Sequence, residues 1–180
     1  MSDRLIADIE GARHHINMLF FKFEDDAAGR RIADALIRKS EEGVLVRLIY
    51  DDAGNLMVPR RFYRKLRKHG IQVRGFIRIF LPILSRDYNS RNHRKVVVID
   101  GRVGYMGGMN IAQRYAEGLK WGIWRDTHMR ITGPAVSELQ TSFLTDWKFT
   151  KGDEPDLAPM YPYNPPCGNT LMQIVTGGPM

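Results

Sequence analysis

Apolar positions in the first part of the chain switch repeatedly between helical and strand spacing. Leu5, Ile6 and Ile9 share one face of a helix predicted over residues 3–12, with Gly11 near its end. His14 to Phe23 is apolar through its middle without strict alternation, which predicts a strand buried on both faces. Ala27–Glu42 returns to helical spacing, with Ile32, Ala35 and Leu36 inside, a basic outer face and Gly43 as the closing residue. Val44–Tyr50 is a second strand, followed by the turn Asp51–Asn55. A helix opens at Pro59 and ends at Gly70, and Ile71–Phe76 is a third strand. Two successive βαβ-like units predict a parallel sheet with helices packed on it.

Beyond Arg78 the pattern changes. A loop carrying Pro82 precedes an apolar strand over Arg94–Ile99, and Asp100-Gly101 separates it from Val103–Met106. Asp-Gly between two apolar runs predicts a tight hairpin. A short helix over Asn110–Gly118, a strand over Trp124–Ile131 and a long helix over Pro134–Phe149 follow. Residues 150–169 hold five of the nine prolines and read as a linker. Leu171–Val175 then reads as the first strand of a second half that is missing, so the expected organisation is a domain over 1–149 and a linker with one strand over 150–180.

The 180 residues, 43% of them hydrophobic, suit one globular domain. The single cysteine, Cys167, excludes an internal disulfide. No signal peptide is read at Met1-Ser2-Asp3-Arg4, and the apolar runs near Ile16–Phe21 and Ile77–Leu84 are too short or interrupted to span a bilayer, so the chain is expected to be soluble. A net charge of +7 points to an anionic partner: nucleic acid, an anionic lipid surface or a phosphorylated small substrate.

The candidate chemistry lies between His93 and Asn110. His93 and Lys95 share one face of a strand while Arg94 points away. The hairpin returns Gly107-Gly108 beside the start of that strand, with Asn110 just beyond, and glycines there permit close approach of backbone to an anion. An imidazole, an ammonium and an amide around one phosphate-sized space suit nucleophilic attack on a phosphodiester. Taken singly, each residue has an ordinary explanation: Asn110 as a helix cap, Asp100 as a turn residue, His93 and Lys95 as solvated side chains. Their joint occurrence within eighteen residues is what carries the reading.

The spacing H-x-K-x4-D-x6-G-G-x-N resembles the phospholipase D superfamily signature, and Asn92–Gly101 followed by Gly107–Ile111 resembles its cardiolipin synthase branch. The resemblance extends to Phe23–Asp26, Gly29–Ile32, Val46–Asp51, Trp124–His128, Gly133–Val136 and Asp146-Trp147. It implies an α/β fold, a mixed β-sheet flanked by helices on both faces, in which two motif copies face each other to make one site. This chain carries one copy. The resemblance further implies that His93 is the nucleophile and that Lys95, Asn110 and the backbone at Gly107 and Gly108 bind the phosphoryl oxygens. Asp126 is then the acidic partner of His93, Glu117 a weaker alternative, and Asp100 a catalytic-motif residue that fixes the turn. Many superfamily members have Gly-Ser where this chain has Gly107-Gly108. No metal and no cofactor is expected. His14 and His15 read as core or edge residues and His69 as a helix end. His128 shares a strand face with Asp126 and could line the site, though a structural role is favoured.

Outside the motif, residues 59–70 carry six Lys or Arg, either a solvated helix surface or a contact for anionic head groups. The apolar loop 77–84 is either core or an acyl-chain port. Three functions compete: transfer between two phosphatidylglycerol molecules giving cardiolipin, a homodimeric nuclease or phosphodiesterase, and an inactive half domain awaiting its partner half. The first is favoured, with an anionic phospholipid, a membrane surface and a second motif-bearing half as partners; nucleic acid is disfavoured. The resemblance places the parent protein at the bacterial inner membrane.

Overall fold

The computed structural model describes residues 2–76, 92–118, 122 and 126–177. Helix α1 (Ser2–Glu10) leads into strand β1 (His15–Phe20), and β1, α2 (Ala27–Glu41), β2 (Leu45–Asp51), α3 (Arg60–Lys68) and β3 (Gln72–Phe76) form two successive crossovers between parallel strands. Strands β4 (Val96–Ile99), β5 (Val103–Gly107) and β6 (His128–Thr132) then add antiparallel on the other side of β1. Helix α4 (Gln113–Glu117) follows β5, and α5 (Ala135–Phe149) follows β6. The sheet order is β3-β2-β1-β4-β5-β6. The expected mixed sheet with helices on both faces is therefore formed, α/β in class.

Every residue of β1 is buried, because β1 lies in the middle of the sheet and is covered on both faces. Ile16, Met18 and Phe20 join Leu36, Leu66 and Val97 in the larger core beneath α1, α2 and α3. Leu19 turns the other way, onto Phe143 and Trp147 of α5. Helix α2 starts where the Asp26 side chain accepts from Gly29 N, an N-cap that satisfies one of the free amides of its first turn.

At the hairpin, Asp100 and Gly101 both have positive φ (52° and 62°), as a mirror-image turn requires, and Arg102 N donates to Ile99 O. The ladder resumes with Val103 opposite Ile99. Three residues therefore separate the paired positions, one more than a two-residue turn. The Asp100 carboxylate accepts from the backbone of Arg13 and His14 (2.8 Å each) and of His15 (2.9 Å), which anchors the start of β1 to the end of β4.

The Pro-rich stretch after α5 does not stand apart from the domain. Arg47, 1% exposed on β2, lies over the Trp147 ring at 5.6 Å, and its guanidinium donates to Asp153 at 3.2 Å. Trp147 Nε1 also donates to Asp153, Met160 is buried beside Gln140, and Asn164 Nδ2 donates to Gly101 O. Residues 150–164 thus form a strap from α5 to the hairpin. Leu171–Val175 has no sheet partner among the described residues. Ile174 N donates instead to Glu138.

Removing Asp153 would leave a buried guanidinium without its counter-charge. Because the Asp153 side chain is itself 45% exposed, the expected cost of Asp153→Ala is about 2 kcal/mol, below the figure for a fully buried pair. Urea unfolding checks this, and a loss under about 0.5 kcal/mol would show that the strap does not secure α5.

Candidate active site

The parallel strands β1 and β2 end at the same edge of the sheet, and the antiparallel strands return to it. Val96 pairs with Leu19, so Lys95 and His93 continue alongside the exit of β1. Gly107 ends β5 opposite His128 at the start of β6. The segment after β5 then runs parallel to the chain leaving β1, with Ile111 bridged to Phe23. Lys22 N donates to Asn110 Oδ1 at 3.0 Å, Ile111 N to Lys22 O at 3.2 Å and Glu24 N to Ile111 O at 2.9 Å. Four separate stretches of chain meet at this edge.

His93 is exposed, and its ring packs on Phe21 with centroids 4.1 Å apart. Neither ring nitrogen has a hydrogen-bond partner among the described residues. Lys95 faces the same way but is only 7% exposed. Its ammonium donates to His93 O and lies over the Phe21 ring at 5.6 Å. Burial pulls the Lys95 pKa below its ordinary value, and the nearby Asp126 carboxylate opposes that shift. Arg94 points to the opposite face, where it pairs with Asp146 of α5 at 2.7 Å. The alternation read from the sequence thus separates the chemical side chains from the structural one.

Asn110 is buried, and it does not cap α4, whose N-cap is Ala112. Its oxygen is committed to Lys22 N and its amide nitrogen donates to the Tyr115 hydroxyl at 2.9 Å. Two bonds hold the amide beside the exit of β1.

The two glycines differ in what they face. Gly107 has φ 154°, and a Cβ there would stand 2.3 Å from Thr127 O. Gly108 faces Asp126: a Cβ would lie 2.0 Å from that carboxylate. A side chain at this position would require the Asp126 carboxylate to move. Asp126 is exposed and accepts from Thr127 N at 2.8 Å. It forms no hydrogen bond to His93 among the described residues; its field acts on Lys95 and His128 instead.

Asp100 does not reach this edge. It lies five residues along from Lys95, roughly 16 Å at strand rise, with its carboxylate on the backbone of Arg13, His14 and His15. The sequence pattern places Asp100 in the motif; the structure makes it the clamp at the other end of the strand. The side chain of Glu117, the apolar loop 77–84 and Trp124-Arg125 lie outside the described residues. His15 is core, bonded to Gln140 at 3.3 Å, and His69 pairs with Glu41 at 2.7 Å. Phe21 is the site residue that sequence reasoning missed. It ends an apolar run, and nothing in its spacing distinguishes it from a core phenylalanine.

Residues 5–147 match the family described as cardiolipin synthase, PLD-like domain. The chain belongs to that family. It is 42% identical over 180 residues to a cardiolipin synthase of Listeria monocytogenes, covering 98% of this chain and 37% of that protein. Similarity to the major cardiolipin synthase of Bacillus subtilis is also 42%, over 183 residues, with the same coverage. The chain therefore spans little more than a third of these curated relatives. Among solved structures it resembles Nuc, a phospholipase D family member from Salmonella typhimurium, with a TM-score of 0.58 at 20% identity over 83% of this chain and 85% of that one. It also resembles phosphatidylserine synthase from Haemophilus influenzae, with a TM-score of 0.62 at 21% identity over 81% of this chain and 34% of that one. Both likenesses are of fold. A PLD-like domain of the cardiolipin synthase family is thus the frame in which these side chains sit.

His128 lies under Gly107 in this PLD-like domain, with both ring nitrogens buried and unpartnered among the described residues. Burial pushes its pKa down to about 4. Between the ordinary value of 6.5 and that pH the unfolded chain takes up a proton that the folded chain refuses, so stability falls as the pH drops through this window. His15, also lowered by burial, contributes with the same sign. Melting temperature should decline from pH 6.5 towards 4, and His128→Gln should reduce that decline; an unchanged slope would assign the acid sensitivity elsewhere.

Proposed function

We propose that this domain is the nucleophile-bearing half of a cardiolipin synthase, which transfers a phosphatidyl group between two phosphatidylglycerol molecules. The observation that carries the reading is the pairing of an exposed His93 with a buried Lys95 on one aromatic ring, beside Asn110. His93 attacks the phosphorus of the first phosphatidylglycerol. A P–N bond forms, the P–O bond to the headgroup glycerol breaks, and glycerol leaves with a proton supplied by a general acid. A hydroxyl of the second phosphatidylglycerol then gives up its proton to that group and attacks phosphorus. The P–N bond breaks, and cardiolipin is released with His93 restored. The general acid is assigned to the histidine of a second motif, which this chain does not contain.

Lys95 and Asn110 stabilise the charge that develops on the non-bridging oxygens, together with backbone amides near Gly107 and Gly108. An ammonium fixed in a half-closed site needs little reorganisation as that charge grows. The Asp126 carboxylate opposes the lowering of the Lys95 pKa by burial. Orienting the imidazole is the further role proposed for Asp126. The mechanism requires no metal and no cofactor. The substrate is an anionic phospholipid presented at a bacterial membrane surface, which accords with a net charge of +7. No described helix is long and apolar enough to cross a membrane.

Incubation with phosphatidylglycerol vesicles, followed by mass spectrometry of the lipids, tests this reading. Cardiolipin formed by the native chain and lost in His93→Asn would mean that two copies assemble a two-histidine site. Cleavage of DNA without phosphatidyl transfer would favour the homodimeric nuclease instead. If the native chain gives no product, the same pair of proteins is assayed in a form carrying the second motif, where retained turnover in His93→Asn would remove its nucleophile role. Asp100→Ala should behave differently from His93→Asn. It loses three backbone hydrogen bonds and about 1–3 kcal/mol of stability, yet its turnover per folded molecule should stay within about threefold of native. A hundredfold loss of turnover in a folded Asp100→Ala protein would return that residue to the reaction.

A further inference from the structure

Helix α3 carries six Lys or Arg in nine residues, with no acid in its first turn. Two of its cations have partners: Lys65 pairs with Asp34 at 3.0 Å, and Arg67 donates to Val73 O. Arg60, Arg61 and Arg64 are exposed and have no partner among the described residues. Arg60 and Arg61 also stand at the positive end of the helix dipole, where cations are disfavoured, so they do not serve the helix itself. The inner face, Phe62, Tyr63 and Leu66, is buried in the core and fixes the rotation of the helix.

Immediately before α3, the chain displays two large apolar side chains, Leu56 (59% exposed) and Met57 (95% exposed). They project from a loop tied down through Asn55. Asn55, itself buried, accepts from Phe23 N at 2.8 Å and donates to Phe21 O and Asp51 O, and Val58 N donates to Asn55 O. The loop also abuts the active site. A Cβ on Gly54 would lie 2.3 Å from Phe21 O and 3.2 Å from the Phe21 ring, the same ring that His93 packs on.

We propose that Leu56 and Met57, with Arg60, Arg61 and Arg64, form the surface by which this domain sits on an anionic phospholipid bilayer, placing the site mouth at the headgroup plane. The proposal rests on the phospholipid reading of the site. Charge complementarity selects the occupant. A protruding apolar pair flanked by arginines matches the boundary between acyl chains and anionic head groups. A second copy of this chain would meet the same positive surface across a two-fold axis and be repelled. Docking here accounts for how an insoluble substrate reaches His93: the edge of the sheet that bears the nucleophile is the edge that meets the lipid.

The test is co-sedimentation of the 180-residue chain with phosphatidylglycerol-containing vesicles and with pure phosphatidylcholine vesicles, at low and high salt. The native chain should bind only the anionic vesicles, and more weakly as salt rises. Replacing Arg60, Arg61 and Arg64 together by Gln should reduce partitioning on the order of 100-fold. Leu56→Ser with Met57→Ser should reduce it on the order of tenfold. All these side chains are exposed, so both variants should keep the native melting temperature. Absence of native binding to anionic vesicles, or equal binding by folded variants, overturns the proposal. So does a salt-insensitive dimer, seen by sedimentation velocity, that the variants abolish while vesicle binding persists. A second readout separates this from the catalytic reading: phosphohistidine formed on His93 from short-chain phosphatidylglycerol below its micelle concentration. A label without vesicle binding removes the surface alone, and vesicle binding without a label, in a form carrying the second motif, removes the chemistry alone.

Discussion

The antiparallel pairing of β4 against β1 is the constraint on which the site depends. Its register sets Val96 opposite Leu19 and Val98 opposite Asn17. Val97 and Ile99 enter the core beneath α1 to α3, while Val96 and Val98 face α5. A slip of one residue would exchange these two sets and send Lys95 to the wrong face of the sheet. Burial on both sides makes such a slip costly, and Asp100 adds a second lock by taking three backbone amides at the start of β1. The far end of the hairpin is thus held so that the near end can carry chemistry.

At the near end the chain divides its tasks by burial. His93, the proposed nucleophile, is exposed, and the cation and amide beside it are buried and held. Lys95 is kept in place by His93 O and the Phe21 ring, and Asn110 by Lys22 N and Tyr115. Under the proposed chemistry, groups that stabilise a transition state gain from being fixed in advance, whereas an attacking imidazole must remain reachable. Gly107 and Gly108 leave room for the close approach of Thr127 and Asp126. That approach brings an acid within electrostatic reach of the buried lysine.

The opposite face of the sheet has a different role. Arg94 of the motif strand reaches Asp146, and Arg47 is enclosed by Trp147 and Asp153. These contacts tie α5 and the strap behind it to the strands that bear the site. Helix α5 therefore supports the catalytic edge without contributing to it. This also explains why proline-rich residues after Phe149 are packed rather than free: Asp153, Met160 and Asn164 each fill a place on the domain.

Most of the helices and strands, and the alternation that separates His93 and Lys95 from Arg94, were legible in the sequence. Local periodicity encodes which face a residue occupies. The motif residues were legible as a set because the chemistry needs those types at that spacing. Other features rest on non-local contacts that no spacing records. Phe21 becomes part of the site only because β4 runs beside β1, and Asp100 leaves it because a strand of this length carries its two ends far apart. Asn110 resembles a helix cap in sequence but is taken up by the exit of β1, and Asp126 meets Gly108 rather than the imidazole. Sequence alone determined which side chains could perform the chemistry. The tertiary structure decided which of them share one edge of the sheet, because only register and burial bring residues distant in the chain into contact.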